Sequence, residues 1–338
     1  MPDLSEAMML VTIANKENDL SLLDDKLHMD DRGLPIRFGM TSEFMFNSYG
    51  KLEDRETTVR LAEDYYNAAS PHPNVFVQED DVFTLKSVSD IRRRLTTSRS
   101  DDATVGELSE EMTDPERTLS FYIKHQAPDE NTLIPSYRKF SCLVDGQNYR
   151  SSGSLTYTNR YSDLLDKPDA FIDNFKKTCE ALNIFYAVSG CSLLVFTYTN
   201  ARMHTMYPLY RRFPGLLYAD SGGLTSDTKR RDDIIRDVNW LTAINDANVT
   251  RLGGLEVIRA QLSENIVLHP YNGGVVFQAG PKPRMGDVNY GDVPEAYKEI
   301  NAALKPIRFK DYTAPYYLSV PDDVNRREAT EAWISRFD

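Results

Sequence analysis

The chain has 338 residues and a formal net charge of −12, with 41% hydrophobic and 27% charged residues, the composition expected of a soluble globular protein. No apolar run approaches the ~20 residues that cross a bilayer, and the N-terminus, with acids and no Lys or Arg before its short apolar run, is a poor secretory signal. Three cysteines, Cys142, Cys179 and Cys191, form no CxxC pair, which fits buried thiols in a reducing cytoplasm.

Taken in chain order, "MMLVTIA" (8–14) reads as a strand and "LPIRFGM" (34–40) as another. "DRETTVRLAEDYYNAAS" offers Asp54 as an N-cap and places Val59, Ala62, Tyr66 and Ala69 at helical spacing; the prolines of "SPHP" stop it. "SVSDIRRRLTTS" predicts a shorter helix, and the polar stretch "SRSDDATVGELSEEMTDPER" a linker or long loop. "TLSFYIKH", "YRKFSCLVDG" and "GSLTYTN" read as strands. "KPDAFIDNFKKTCEALN" reads as an amphipathic helix with Phe171, Phe175, Cys179 and Leu182 on one stripe. "IFYAVSGCSLLVFTYT" predicts one or two buried strands.

Further on, Ile234, Val238, Leu241 and Ile244 recur at steps of four, three and three, which predicts a helix over 232–249. Trp240 lies beside its apolar face as a core residue, and Asp237 is expected to pair with arginines on the solvent side. A helical segment follows Gly253 and Gly254. "IVLHPYNGGVVFQAG" predicts a hairpin through Asn272 and Gly273 with a type I′ turn. "PEAYKEINAALKP" and "NRREATEAWISRF" are the last helices. Strands and helices do not alternate strictly, so the expected fold class is α+β, a mixed, largely antiparallel sheet packed with amphipathic helices. The expected division is an acidic α/β region, 1–117, and an α+β region, 118–338, as closely packed lobes of one unit.

Catalytic signatures are missing. There is no GxxxxGK[ST], GxGxxG, HExxH or GxSxG. The five histidines are scattered singly, and "DDKLHMDD" (24–31) lacks the glycine turn and terminal glutamate of an EF-hand loop. No cofactor and no metal site are expected, and no enzymatic activity.

The charge is unevenly placed. Residues 1–120 hold 25 acidic and 13 basic residues, whereas residues 121–338 hold 26 of each. The acids cluster at Asp24, Asp25, Asp30 and Asp31; at Glu79, Asp80 and Asp81; and at Asp101, Asp102, Glu107, Glu110 and Glu111, with Asp114 and Glu116 just after. Such a field repels nucleic acid and attracts basic partners.

In order and spacing, "YRRFPGLLYAD", "DVNWLTAIND", "LGG", "VVFQAGPKPRMGDVN" and "PEAYKEINAALKPIRF" resemble the bacterial type VI secretion immunity proteins that pair with VRR-Nuc nuclease toxins. The similarity spans roughly 118–338 and is most specific over 207–308. It implies a cytoplasmic binding protein that neutralises a cognate toxin and protects self and sister cells. VRR-Nuc toxins resemble metal-dependent nucleases of the PD-(D/E)xK type, whose DNA-holding surface is basic; an acidic inhibitor complements it. The implied partner is therefore a protein, not nucleic acid or membrane. The toxin-binding candidates, argued from charge, are Glu79, Asp80, Asp81, Asp101 and Asp102, then Asp24, Asp25, Asp30 and Asp31. Trp240, Pro214, Gly215, Gly253, Gly254 and Gly273 are expected to be structural. A secretion-associated adaptor or structural protein, and a hydrolase without a recognisable motif, are the alternatives; a neighbouring nuclease gene separates them from an immunity protein.

Overall fold

A computed structural model describes the chain except residues 1–3, 30–32, 49, 80, 97–108, 129, 132, 148–151, 196–199, 220–232 and 311–317. The fold is α+β, built on one 11-stranded sheet whose strand pairings are all antiparallel. In chain order the strands are β1 (Leu27–Met29), β2 (Pro35–Asn47), β3 (Val75–Gln78), β4 (Asp81–Thr84), β5 (Leu119–Lys124) and β6 (Lys139–Val144). They continue as β7 (Ser152–Asn159), β8 (Tyr186–Val195), β9 (Leu241–Asn245), β10 (Ile266–Tyr271) and β11 (Gly274–Ala279). Across the sheet the order is β10-β11-β9-β8-β2-β7-β6-β5-β3-β4, with β1 alongside the start of β2.

The centre is the pair β2 and β8, in register from Ile36 opposite Val195 to Met45 opposite Tyr186. Nearly every residue of both strands is buried. A strand that alternates apolar and polar residues has one wet face; these have none, because elements cover both faces. Their buried hydroxyls are satisfied across the ladder, Thr41 with Ser192 at 2.5 Å and Ser42 with Ser189 at 2.8 Å.

Two helices lie side by side on one face, α2 (Leu52–Ala68) and α6 (Pro168–Leu182), after α1 (Leu4–Glu17) and separated in sequence by the short α3 (Ser89–Arg94), α4 (Glu110–Thr113) and α5 (Tyr161–Asp166). Tyr65 of α2 stacks on Tyr157 of β7, and Phe175 of α6 packs on Phe44 of β2. Pro168 starts α6 and Asn183, left-handed at φ 47°, ends it, its N–H reaching the carbonyls of Cys179 and Glu180. Among the described residues the remaining α-helices are α7 (Asn200–Arg212), α8 (Asp246–Arg251), α9 (Leu255–Arg259), α10 (Glu295–Leu304) and α11 (Arg326–Ile334).

Four local expectations are corrected. Residues 8–14 lie in helix α1, not a strand: Ala7, Val11 and Ala14 are buried at steps of four and three, and a short apolar run is ambiguous by period alone. Helix α2 begins at Leu52, so Asp54 sits in its first turn rather than at the cap, where a carboxylate still faces the positive helix end. The β10–β11 hairpin forms as expected, but only Gly273 of its turn pair has positive φ, at 114°, so the turn is not type I′. The helix over 232–249 does not exist. Residues 233–240 form no helix, 241–245 are strand β9, and α8 starts only at Asp246. Asn245 caps α8, its side chain accepting the N–H of Asn248 at 2.9 Å. The helical spacing of Ile234, Val238, Leu241 and Ile244 is coincidental; the segment is buried on all sides, so no single face has to repeat.

Candidate protein-binding surface

The segment 233–240 is scaffold, but of a different kind from that expected. Trp240 is fully buried; its backbone N–H donates to Asn239 Oδ1 at 2.9 Å and its Nε1–H to the Gly280 carbonyl at 3.0 Å. Asn239 fits because Gly190 of β8 has no side chain: a Cβ there would lie 1.9 Å from Asn239 Oδ1. Asp237 is not on a solvent face. It is 1% exposed, accepting from Arg236 Nε at 3.1 Å, Arg336 Nη2 at 2.8 Å and the Tyr186 hydroxyl at 3.1 Å. Arg236 in turn reaches Glu43 of β2 at 2.9 Å. This network ties two distant parts of the chain, 236–237 and Arg336, to the sheet centre. Burial raises the Tyr186 phenol and lowers the Arg336 guanidinium.

The glycines and proline singled out in the sequence sit where the backbone is constrained. The Gly215 N–H donates to Met285 O at 2.7 Å, and a Cβ on Gly215 would lie 2.0 Å from the Arg284 carbonyl. The Pro214 carbonyl accepts from Arg336 at 2.7 Å. Gly253 and Gly254 have φ of 96° and 94° between α8 and α9, a conformation that L side chains resist.

The acidic candidates divide by what their carboxylates already hold. Asp24 is half-buried and spends both oxygens on the start of α5, accepting the N–H of Tyr161 at 3.0 Å and of Ser162 at 2.9 Å. Asp25 is exposed, has φ 61°, and pairs with Arg160 at 2.9 Å. Glu79 and Asp81 are exposed at the tip of the β3–β4 hairpin, Glu79 with φ 51°, on the strand that ends the sheet. Asp30, Asp31, Asp80, Asp101 and Asp102 lie outside the described residues, as does Glu107. Part of the third acidic run is internal structure: Arg55, fully buried, donates to the carbonyls of Asp114 and Arg117 at 2.6 Å, and Glu110 pairs with Arg117.

A cleft of about 430 Å³ lies between α2 and α6, with Ser42 and Tyr157 of the sheet in its lining. Its walls come from segments a hundred residues apart, and no local motif marks it. Among the described residues no three His, Cys, Asp or Glu side chains are grouped to hold a metal ion, and no helix is long and apolar enough to cross a membrane.

A family model described as TsiV, type VI immunity for VRR-NUC, matches residues 59–337. The match begins inside the acidic first third, ahead of the 118–338 span of the sequence resemblance. A solved structure described as Pseudomonas aeruginosa T6SS protein PA0821 shares the fold, with a TM-score of 0.74 at 17% identity, over 98% of this chain and 91% of that one. No curated protein matches the sequence at a significant level.

Proposed function

This chain belongs to the type VI immunity family for VRR-NUC, and from that premise we propose that it works in the cytoplasm as a stoichiometric inhibitor, binding a cognate VRR-Nuc toxin and blocking it without catalytic turnover of its own. The carrying observation is the family match over 59–337. The surface chemistry supports it. A nuclease presents Lys and Arg to phosphates, and the inhibitor offers an exposed acidic turn at a sheet end, where Glu79 and Asp81 flank Asp80. Loops held by a rigid scaffold are common carriers of binding residues.

Asp25 is exposed beside Arg160, so it meets a partner only in exchange for that pair; Asp24 contributes through the helix it caps. The turn at 79–81 and the loop at 24–25 are three or four strand spacings apart, roughly 15–20 Å across the sheet. They therefore serve different parts of a toxin surface, the hairpin tip first.

The direct test is inhibition. Purified VRR-Nuc protein from the source genome should degrade DNA with Mg²⁺ or Mn²⁺ and stop when this chain is added at a one-to-one ratio. This chain alone should leave DNA, RNA and nucleotides unchanged with either metal. Undiminished toxin activity at ten-fold excess of this chain for every such protein, or metal-dependent turnover by this chain, would refute the reading.

A further inference from the structure

We propose that the cleft between α2 and α6 is the socket for a neutral, apolar anchor, an aromatic or large aliphatic side chain that the toxin presents from a turn. The proposal rests on the immunity reading and specifies where the partner is gripped rather than merely steered.

The space exists because the walls are made of small residues. Ala68 and Ala69 at the end of α2, and Ala170 at the start of α6, stop at Cβ and let the cleft run down toward the sheet. Its volume of about 430 Å³ falls within the range of working ligand pockets, roughly 300–1,000 Å³. That exceeds one side chain and leaves room for the flanks of a turn.

Four aromatic residues share the lining with polar ones, and the hydroxyls of its two tyrosines are satisfied. Tyr65 and Tyr157 stack at 5.4 Å with 10° between their planes, and Phe171 and Phe175 line the α6 side. The Tyr65 hydroxyl donates to the Thr158 carbonyl at 3.2 Å, the Tyr157 hydroxyl meets Thr178 Oγ1 at 3.2 Å, and the Ser42 hydroxyl meets Ser189. With these three hydroxyls partnered, an apolar group strands none of them on displacing water.

The charges point the same way. The lining holds three acids, Asp64, Asp163 and Asp166, and three bases, Arg138, Lys167 and Lys177, so it has no net charge. Arg138 and Asp163 are joined to each other by a two-point ion pair. Asp64, Asp166, Lys167 and Lys177 are exposed and form no ion pair with the described residues. A toxin arginine would meet as much repulsion as attraction here, unlike at the acidic hairpin tip. A neutral anchor, sealed by a rim of mixed charge, has the arrangement of an interface hot spot, where a buried aromatic fills a pocket and the surrounding polar contacts exclude water.

The test fills the cleft. Ala170→Trp and Ala68→Trp each put a large ring into it from an exposed position, with Val257→Trp on α9 as the control away from it. The probe is a VRR-Nuc protein that the wild-type chain inhibits, with rates read by biolayer interferometry and folding by circular dichroism and thermal melting. The cleft-filled variants should melt like wild type and bind about 100-fold more weakly, mainly through the off-rate, while the control binds unchanged. Hydrogen exchange on the unaltered chain gives a second reading, with toxin-dependent protection expected over 64–70 and 167–178. Folded cleft-filled variants that bind like wild type, or no protection over those segments, overturn the socket and leave the immunity reading standing. A wild-type chain that inhibits no VRR-Nuc protein overturns both.

Discussion

Arg336 and Asp237, 99 residues apart in the chain, meet at 2.8 Å with side chains only 8% and 1% exposed. The guanidinium also donates to Pro214 O and lies over the rings of Trp333 and Phe337, at 4.0 and 4.4 Å from their centres. Removing one member of such a pair leaves a buried charge short of its partner. Arg336→Met should therefore cost about 3–5 kcal/mol in equilibrium denaturation. Arg336→Lys should recover little of it, because an ammonium cannot reproduce the planar stack and fork together. Loss below 1 kcal/mol for Arg336→Met would show that Arg236 alone satisfies Asp237.

Trp240→Ala should cost about 3–5 kcal/mol, since it empties a fully buried ring site; the Gly280 carbonyl loses the indole donor but keeps the Gln278 side-chain amide at 3.0 Å. Urea unfolding decides this. An unchanged midpoint together with lost toxin binding would make Trp240 a contact residue instead.

Gly190→Ala should destabilise by about 1–3 kcal/mol, because the added methyl occupies the place of the Asn239 amide in the packed sheet centre. Asn239→Ala should relieve most of the clash in the double variant, so the two costs should not add. Additive costs in a double-mutant cycle would separate the sites.

His28 is buried in β1, edge-on to Phe38, with no hydrogen-bond partner for either ring nitrogen among the described residues. Burial lowers its pKa below 6.5, and Lys26 adds to this; Glu6 opposes. The unfolded chain then binds more protons than the folded one once the pH falls below about 6.5, so stability is lost on acidification from that point. His28→Phe should flatten the slope of stability against pH between pH 5 and 6.5 without lowering stability at pH 7.5. An unchanged slope would show that other groups set it.

Charge reversal separates the acidic candidates. Glu79→Lys with Asp81→Lys should slow toxin association at low salt and lose that effect at high salt. Asp24→Ala should do the opposite, costing about 1 kcal/mol of stability through the lost α5 cap with little change in association. The assignment fails if Asp24→Ala alters the on-rate and the hairpin pair does not.

Much of the architecture could be read without coordinates. Helices α2, α6 and α10 carry apolar stripes at helical spacing, β5 to β7 follow their β-rich runs, and the β10–β11 hairpin is marked by Asn272 and Gly273, because each of these signals is local. The acidic bias of the first third and the absence of catalytic motifs are likewise properties of the string of residues. Tertiary structure decided the rest. The apolar periods at 8–14 and 232–249 fit more than one element, and only the neighbours settle which: β9 is a strand because β8 and β11 lie on either side with ladder positions to fill. The same holds for charge. Asp24 and Asp25 are adjacent acids, yet one caps a helix 137 residues away while the other stands in solvent beside Arg160. The cleft between α2 and α6 had no local trace at all, since a cavity is a property of the gap between segments and not of any one of them.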